Sequence, residues 1–144
     1  MAKQAVKDTN VQIVRDFMET IFVEKNLDMI DEYVAEDYVE YNTAFPEIQG
    51  IENAREIWEG VFSAFPDLKI TEVELISDDN VVVYVFRTTA THEGTLEPLG
   101  LEPTNETFEV ENVAIWWIEN GKLSEGRVYL DTFGMMQQLG IVEQ

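Results

Sequence analysis

The apolar residues change period once along the chain, and that change limits the fold more than any other feature. Up to Pro66 they recur every three or four residues. One run is Val11, Ile13, Val14, Phe17, Met18, Ile21 and Phe22; another is Ile51, Ala54, Trp58, Val61, Phe62 and Phe65. This spacing places them on one face of a helix. A first helix is expected from Thr9, with Asp8 or Thr9 as its cap. A short second helix covers roughly Leu27 to Val34 and turns Met29, Ile30 and Tyr33 inward. The third, "IENAREIWEGVFSAFPD", ends at Pro66. Between the second and third, "EDYVEYNTAFPEIQG" alternates briefly and breaks at Pro46 and Gly50, as an extended segment and a loop would.

Beyond Pro66 the period drops to two. "LKITEVELISD", "NVVVYVFRTTATHEG", "ETFEVENVAIWWIEN" and "KLSEGRVYLDT" predict strands, with turns at Asp78-Asp79-Asn80 and Asn120-Gly121. "LEPLGLEPTN" is a longer connection, and "FGMMQQLG" is a short closing helix stopped at Gly140. Helices followed by an antiparallel meander make an α+β domain, with the helices on one face of a curved sheet. No repeat or linker divides the chain, so residues 1–144 are expected to form a single domain.

Alternation assigns the faces. Phe108, Val110, Asn112, Ala114, Trp116 and Ile118 share one side of their strand, and Val82, Tyr84, Phe86, Thr88, Ala90 and His92 share one side of theirs. In the last strand Ser124, Gly126, Val128 and Leu130 fall opposite Glu125, Arg127, Tyr129 and Asp131. The sides rich in small and apolar residues are the candidates for lining a cavity.

Composition narrows the functions. With 45% hydrophobic and 11% aromatic residues the chain can fill a core. It has no cysteine, which excludes disulfides, thiolate catalysis and cysteine-bound zinc. No phosphate-binding glycine loop or dinucleotide fingerprint occurs, and the acidic runs lack the spacing of a calcium loop, so no metal and no cofactor are expected. A polar start, "MAKQAVKDTN", and the lack of any long apolar run argue for a cytoplasmic protein with no membrane partner. Nine Lys plus Arg against 29 Asp plus Glu give a net charge of −20. That surface repels nucleic acid. Acid dispersed along the whole chain, with little lysine, predicts adaptation to a salt-rich cytoplasm.

Four stretches carry a resemblance: "YVAEDYVEYN", "GIENAREIWEGVFSAFPDLKI", "ATHEGTLEPLGLEPTNETF" and "IENGKLSEGRVYLDTFGMMQQLG". In these the chain resembles the SnoaL-like polyketide cyclases, whose fold is also that of ketosteroid isomerase and nuclear transport factor 2. The resemblance implies a cone-shaped barrel of curved antiparallel sheet, with three N-terminal helices on its concave face and a short C-terminal helix. It also implies a homodimer or larger homo-oligomer formed through the outer sheet face. Relatives often read "H-W-D" or "H-R-D" in the last strand, the aspartate serving as acid/base or activating water. Here those positions hold Gly126, Arg127 and Val128. Ala114 stands where many relatives have a polar or acidic residue, and Tyr41-Asn42-Thr43 where histidine often precedes Asn-Pro. His92, in "ATHEG", matches the family's similar "T-H-x-G".

The candidate catalytic residues are therefore His92, Asp131 and Asn112. Asp131 either replaces the missing acid, turned inward by a bulge near Leu130, or caps the closing helix. His92 either serves as base or donor at the cavity mouth, or is a strand-end histidine bonded to the backbone of the next loop. Asn112 either orients a carbonyl or water, or is a satisfied core amide. Tyr41, Asn42, Trp58, Phe62, Phe86, Ala114, Trp116 and Val128 are expected to line a pocket for a small hydrophobic molecule. Two functions stay open: a cofactor-independent cyclase, isomerase or hydrolase on a hydrophobic carbonyl compound, and a non-catalytic ligand-binding or dimerising protein.

Overall fold

The structure, a computed structural model, describes residues 2–142. Helix α1 (Ala2–Phe17) runs on into a widened π-type stretch, Met18–Val23. The chain is already helical from Ala2, so Asp8 and Thr9 lie inside α1 and not at its start. A turn of 3₁₀ helix (Leu27–Met29) leads into the single turn of α2 (Ile30–Tyr33), then into strand β1 (Val34–Asn42). The two-residue β2 (Ile48–Gln49) precedes α3 (Ile51–Ala64). Four long strands follow: β3 (Lys69–Asp78), β4 (Val81–Thr91), β5 (Thr107–Glu119) and β6 (Lys122–Tyr129). Helix α4 (Thr132–Gln138) closes the fold.

The six strands form one sheet in the order β2-β1-β6-β5-β4-β3. The last four make the expected antiparallel meander, and Asn120 and Gly121 both take the positive φ (52° and 78°) of a tight hairpin turn. Two features differ from the expectation. The sheet stays open, β2 and β3 being its two edges, so the cone is curved but not a closed barrel. It is also mixed, because β1 pairs parallel with β6, setting Glu40 across from Gly126 and Asn42 across from Val128. A parallel neighbour requires a long crossover between the strands, which everything from β2 to β5 supplies.

Face assignment by alternation holds along β4 and β5, whose burial alternates residue by residue. It fails at the start of β6. A bulge opposite Trp117 and Ile118 pairs Trp117 with Glu125 but Ile118 with Leu123. Ser124 falls in the extra step and bonds the Trp117 carbonyl, while fully buried Leu123 takes the inward place.

The core lies between the concave face and the helices. Phe17 stands at its centre, edge-on to Phe22, Tyr33, Trp58 and Trp116 at centroid distances of 5.4 to 6.4 Å. A second cluster, including Ala64, Phe65, Leu96, Phe108 and Leu139, packs the far end beneath α4 and the 93–106 connection. On the outer face Arg127 lies over the rings of Tyr41 and Trp117, at 5.6 and 5.8 Å. Among the described residues no helix is long and apolar enough to cross a membrane.

Candidate active site

Between the concave sheet face, α3 and the π-type turn lies a cavity of about 130 Å³. In volume it is near the 150 Å³ engineered cavity that admits benzene. Trp58, Phe86, Ala114, Trp116, Val128 and Asn42 line it as expected. Two expected residues do not. Tyr41 is 45% exposed on the outer face, because Tyr38, Glu40 and Asn42 take the inward places of β1 and Tyr41 alternates away. Phe62 packs on Phe22 at 5.6 Å and lies beneath Lys25. Ile57 and Val61 of α3, and Phe65 just past its end, reach the cavity instead, and Phe62 is about a third of a turn round the helix from Val61.

The carboxyl group inside the cavity is one that sequence reasoning missed. Glu40 is 3% exposed and borders the cavity. Its Oε1 accepts from the Tyr38 hydroxyl at 2.7 Å, and Tyr38 in turn accepts from Trp116 Nε1–H at 3.1 Å. Its Oε2 accepts from Asn42 Nδ2 at 3.4 Å. Asn42 is held by its own Oδ1, which accepts from the backbone N–H groups of Ala44 and Phe45 at 2.8 and 3.1 Å. No ion pair to Glu40 occurs among the described residues. Burial raises its pKa above the ordinary carboxylate value, and the bonds from Tyr38 and Asn42 hold back part of that rise. Burial, first, and the neighbouring Glu40 also lift the Tyr38 phenol well above its usual value, so Tyr38 stays a neutral donor.

The sequence carried one signal for this site. In "YVEYN" the period of two puts Tyr38, Glu40 and Asn42 on one face, and only the habit of assigning glutamate to solvent hides it. Gly126 makes the arrangement possible. A β-carbon there would collide with the Tyr38 hydroxyl and stand 2.8 Å from two atoms of the Trp116 indole.

Of the three expected catalytic residues, Asn112 and Asp131 meet at the cavity and His92 stands apart. Asp131 is the N-cap of α4, its Oδ1 accepting from the Gly134 N–H at 2.9 Å, and it sits at the cavity rim. Val128, 9% exposed, faces the cavity from β6. Asn112 lies in the wall and is bonded at both ends: Oδ1 accepts from the Asp131 backbone N–H at 2.9 Å, and Nδ2 donates to Thr88 Oγ1 at 3.1 Å. His92 is fully buried but outside the cavity lining, behind Phe65 at 5.6 Å. Its backbone bonds Asn105 and Glu106, and its Nδ1 lies 3.3 Å from Thr104 Oγ1. Among the described residues no cluster of three or more His, Cys, Asp or Glu is placed to hold a metal ion.

A family model described as SnoaL-like polyketide cyclase matches residues 12–139. Among solved structures, the fold is similar to that of a protein from Jannaschia sp. CCS1 named as a SnoaL-like polyketide cyclase, at 20% identity over 95% of both chains with a TM-score of 0.86. It is similar to TsrD from Streptomyces laurentii, at 23% identity over 92% of this chain and 96% of that one, TM-score 0.81. A third likeness is to an LEH-like epoxide hydrolase from M. tuberculosis, at 14% identity over 92% and 90% of the two chains, TM-score 0.72. At these identities the likeness is one of fold. Among curated proteins nothing matches.

Proposed function

Since the chain belongs to the SnoaL-like polyketide cyclase family, we propose that it is a cofactor-independent acid–base enzyme acting on a hydrophobic carbonyl compound, with Glu40 as the acid/base. The observation that carries this is a buried carboxyl with neutral donors and, among the described residues, no cation, facing an apolar cavity. Such a group has its pKa moved toward the working pH, where proton transfer is efficient in both directions. Val128 stands where the family resemblance looks for the aspartate. Glu40 restores a carboxyl from the adjacent strand, two residues along β1 from Asn42, the partner of Val128.

In this reading the Glu40 carboxylate takes a proton from the carbon next to a bound carbonyl, and the electron pair moves onto the carbonyl oxygen as an enolate. Return of the proton to a neighbouring atom completes an isomerisation. Attack of the enolate carbon on a second carbonyl, whose oxygen takes the proton back from Glu40, completes a cyclisation. Asp131 serves as helix cap and His92 as a strand-end anchor; neither takes part in the proton transfer. A second copy covering the outer face, where Tyr41 and Tyr129 are 45% and 48% exposed, would complete the assembly. Sedimentation at the monomer mass of 16.6 kDa would exclude that.

The test is isotope exchange. The α-protons of 2-tetralone in deuterium oxide are followed by NMR with the unsubstituted protein and with Glu40→Gln. Substitution is expected to slow exchange by about 10²- to 10⁴-fold, and equal rates would remove Glu40 from the chemistry. Binding of the ketone without exchange by either protein favours a second reading, a ligand-binding pocket, which apolar Val128 and Ala114 in the wall also support.

A further inference from the structure

Glu40 is not the cavity's only polar group. Thr88, on β4, borders the same cavity and is 8% exposed. Its hydroxyl oxygen accepts from Asn112 Nδ2 at 3.1 Å. That direction is fixed by a group farther along. The backbone N–H of Asp131 meets the other amide atom of Asn112 at 2.9 Å. A backbone N–H can only donate, so the atom it meets is Oδ1, and the Asn112 nitrogen is turned onto Thr88. The Thr88 oxygen therefore receives a hydrogen bond, and its own proton remains to be given. No acceptor for it occurs among the described residues. A donor that is nine-tenths buried, oriented and unused is disfavoured unless something entering the cavity accepts from it.

Its place relative to Glu40 follows from the ladder. Glu40 faces Gly126, which faces Trp116 on β5. Asn112 is four residues farther along β5, roughly 13 Å at about 3.3 Å per residue, and Thr88 is paired with Val110, farther still in the same direction. Val128, Ala114 and Phe86 make the intervening wall apolar. The cavity thus has a carboxyl pole and a donor pole, with hydrocarbon between.

We propose that Thr88 Oγ–H is a specificity-determining donor. It anchors an oxygen acceptor, a carbonyl or ether oxygen, at the end of the substrate remote from the carbon that Glu40 deprotonates. This rests on the cavity being a substrate site. The substrate class is thereby narrowed to elongated apolar compounds oxygenated at both ends. Asn112 is a positioning residue, acting through the hydroxyl it orients. That gives the inward amide of β5 a role other than orienting a carbonyl or water itself, or simple core satisfaction.

The experiment compares acetophenone with α-methylstyrene, which replaces the carbonyl oxygen by a methylene of similar shape. Each is titrated into the protein and followed at the indole N–H resonances of Trp58 and Trp116, which border the cavity. The unsubstituted protein is expected to prefer the ketone. Thr88→Val, close in shape, is expected to reduce that preference by about fivefold or more while leaving α-methylstyrene affinity within about twofold. Thr88→Ser keeps the hydroxyl and is expected to keep the preference, which separates loss of the donor from damage to the fold. An unchanged ratio in Thr88→Val, no ketone preference in the unsubstituted protein, or no binding of either probe would each overturn the proposal. The exchange test on Glu40 reads a different atom by a different signal. Loss of exchange in Glu40→Gln alongside an unchanged ratio in Thr88→Val would sink the anchor alone. The converse pair of results would sink the acid/base alone.

Discussion

Tyr38 and Glu40 share the inward face of β1, and the hydroxyl of the first donates to Oε1 of the second at 2.7 Å. The bond joins two buried groups of opposite need. The carboxylate lacks water, and the phenol, which already accepts from Trp116, has a proton to give. In a low-dielectric interior such a chain polarises along its length, so the indole stabilises charge on a carboxylate it does not touch.

Tyr38→Phe removes the donor that best stabilises the ionised form. The Tyr38 bond lowers the Glu40 pKa against the larger upward effect of burial. Its loss should move the acidic limb of the pH–rate profile for ketone exchange to higher pH, with the rate at pH well above that limb less affected. The profile of the variant against that of the unsubstituted protein checks it. An unmoved acidic limb would mean that Glu40 is not the group titrating.

Gly126→Ala tests the packing that admits the pair. The added methyl would meet the Tyr38 hydroxyl and the edge of the Trp116 indole, both buried and neither free to swing away. Overpacking of this kind costs typically 1–3 kcal/mol. Urea unfolding should show that loss as a lower midpoint with an unchanged slope. Ketone exchange should fall as well, since either ring can yield only by breaking the chain to Glu40.

Glu40 should also set a pH dependence of stability. Its folded pKa is raised, by burial first, above the value near 4.3 expected for the unfolded chain. Between those two values the folded state holds the extra proton, so stability falls as pH rises through that window and stays lower above it. Glu40→Gln should remove this slope. It should leave a protein no less stable than the original at neutral pH, even as exchange is lost. Urea midpoints of the two proteins at a series of pH values between 4 and 8 measure the difference. A parallel pair of curves would refute the linkage.

How far the sequence could be read depended on which rule each residue obeys. The meander and the inward faces of β4 and β5 follow from period-two alternation, because one side of each strand is buried along its length. The helix α3 follows from its apolar spacing and from Pro66. The parallel pairing of β1 with β6 is a contact across most of the chain, and nothing local encodes it. The displacement at Ser124 belongs to a bulge, which alternation cannot anticipate. Val128 follows the alternation of β6 to the cavity, and of the two roles open to Asp131 the structure has the cap, in keeping with the helix start in "DTFGMMQQ". Glu40 escaped because burial of a carboxyl runs against its usual cost. The donors Tyr38 and Asn42, with Trp116 bonded to Tyr38 from 78 residues away, make that burial tolerable.

The net charge of −20 leads to the last prediction. The arginines already face acids: Arg15 bonds Glu72, Arg87 lies near Glu109 and Glu111, Arg127 near Glu125, and Arg55 near Asp31 and Glu52. These pairs are largely exposed, and exposed pairs contribute little. The excess acid is spread over helices and strands alike, so folding draws like charges together with few cations to offset them. Screening lengths fall from about 30 Å at 0.01 M salt to about 3 Å at 1 M. The urea midpoint is therefore expected to rise steeply as potassium chloride goes from 10 mM to 2 M, with most of the gain below 1 M, where the screening length changes most. Replacing exposed Glu74, Glu93 and Glu106 by glutamine should raise stability at low salt and flatten the dependence. A midpoint indifferent to salt would show that self-repulsion does not govern this fold.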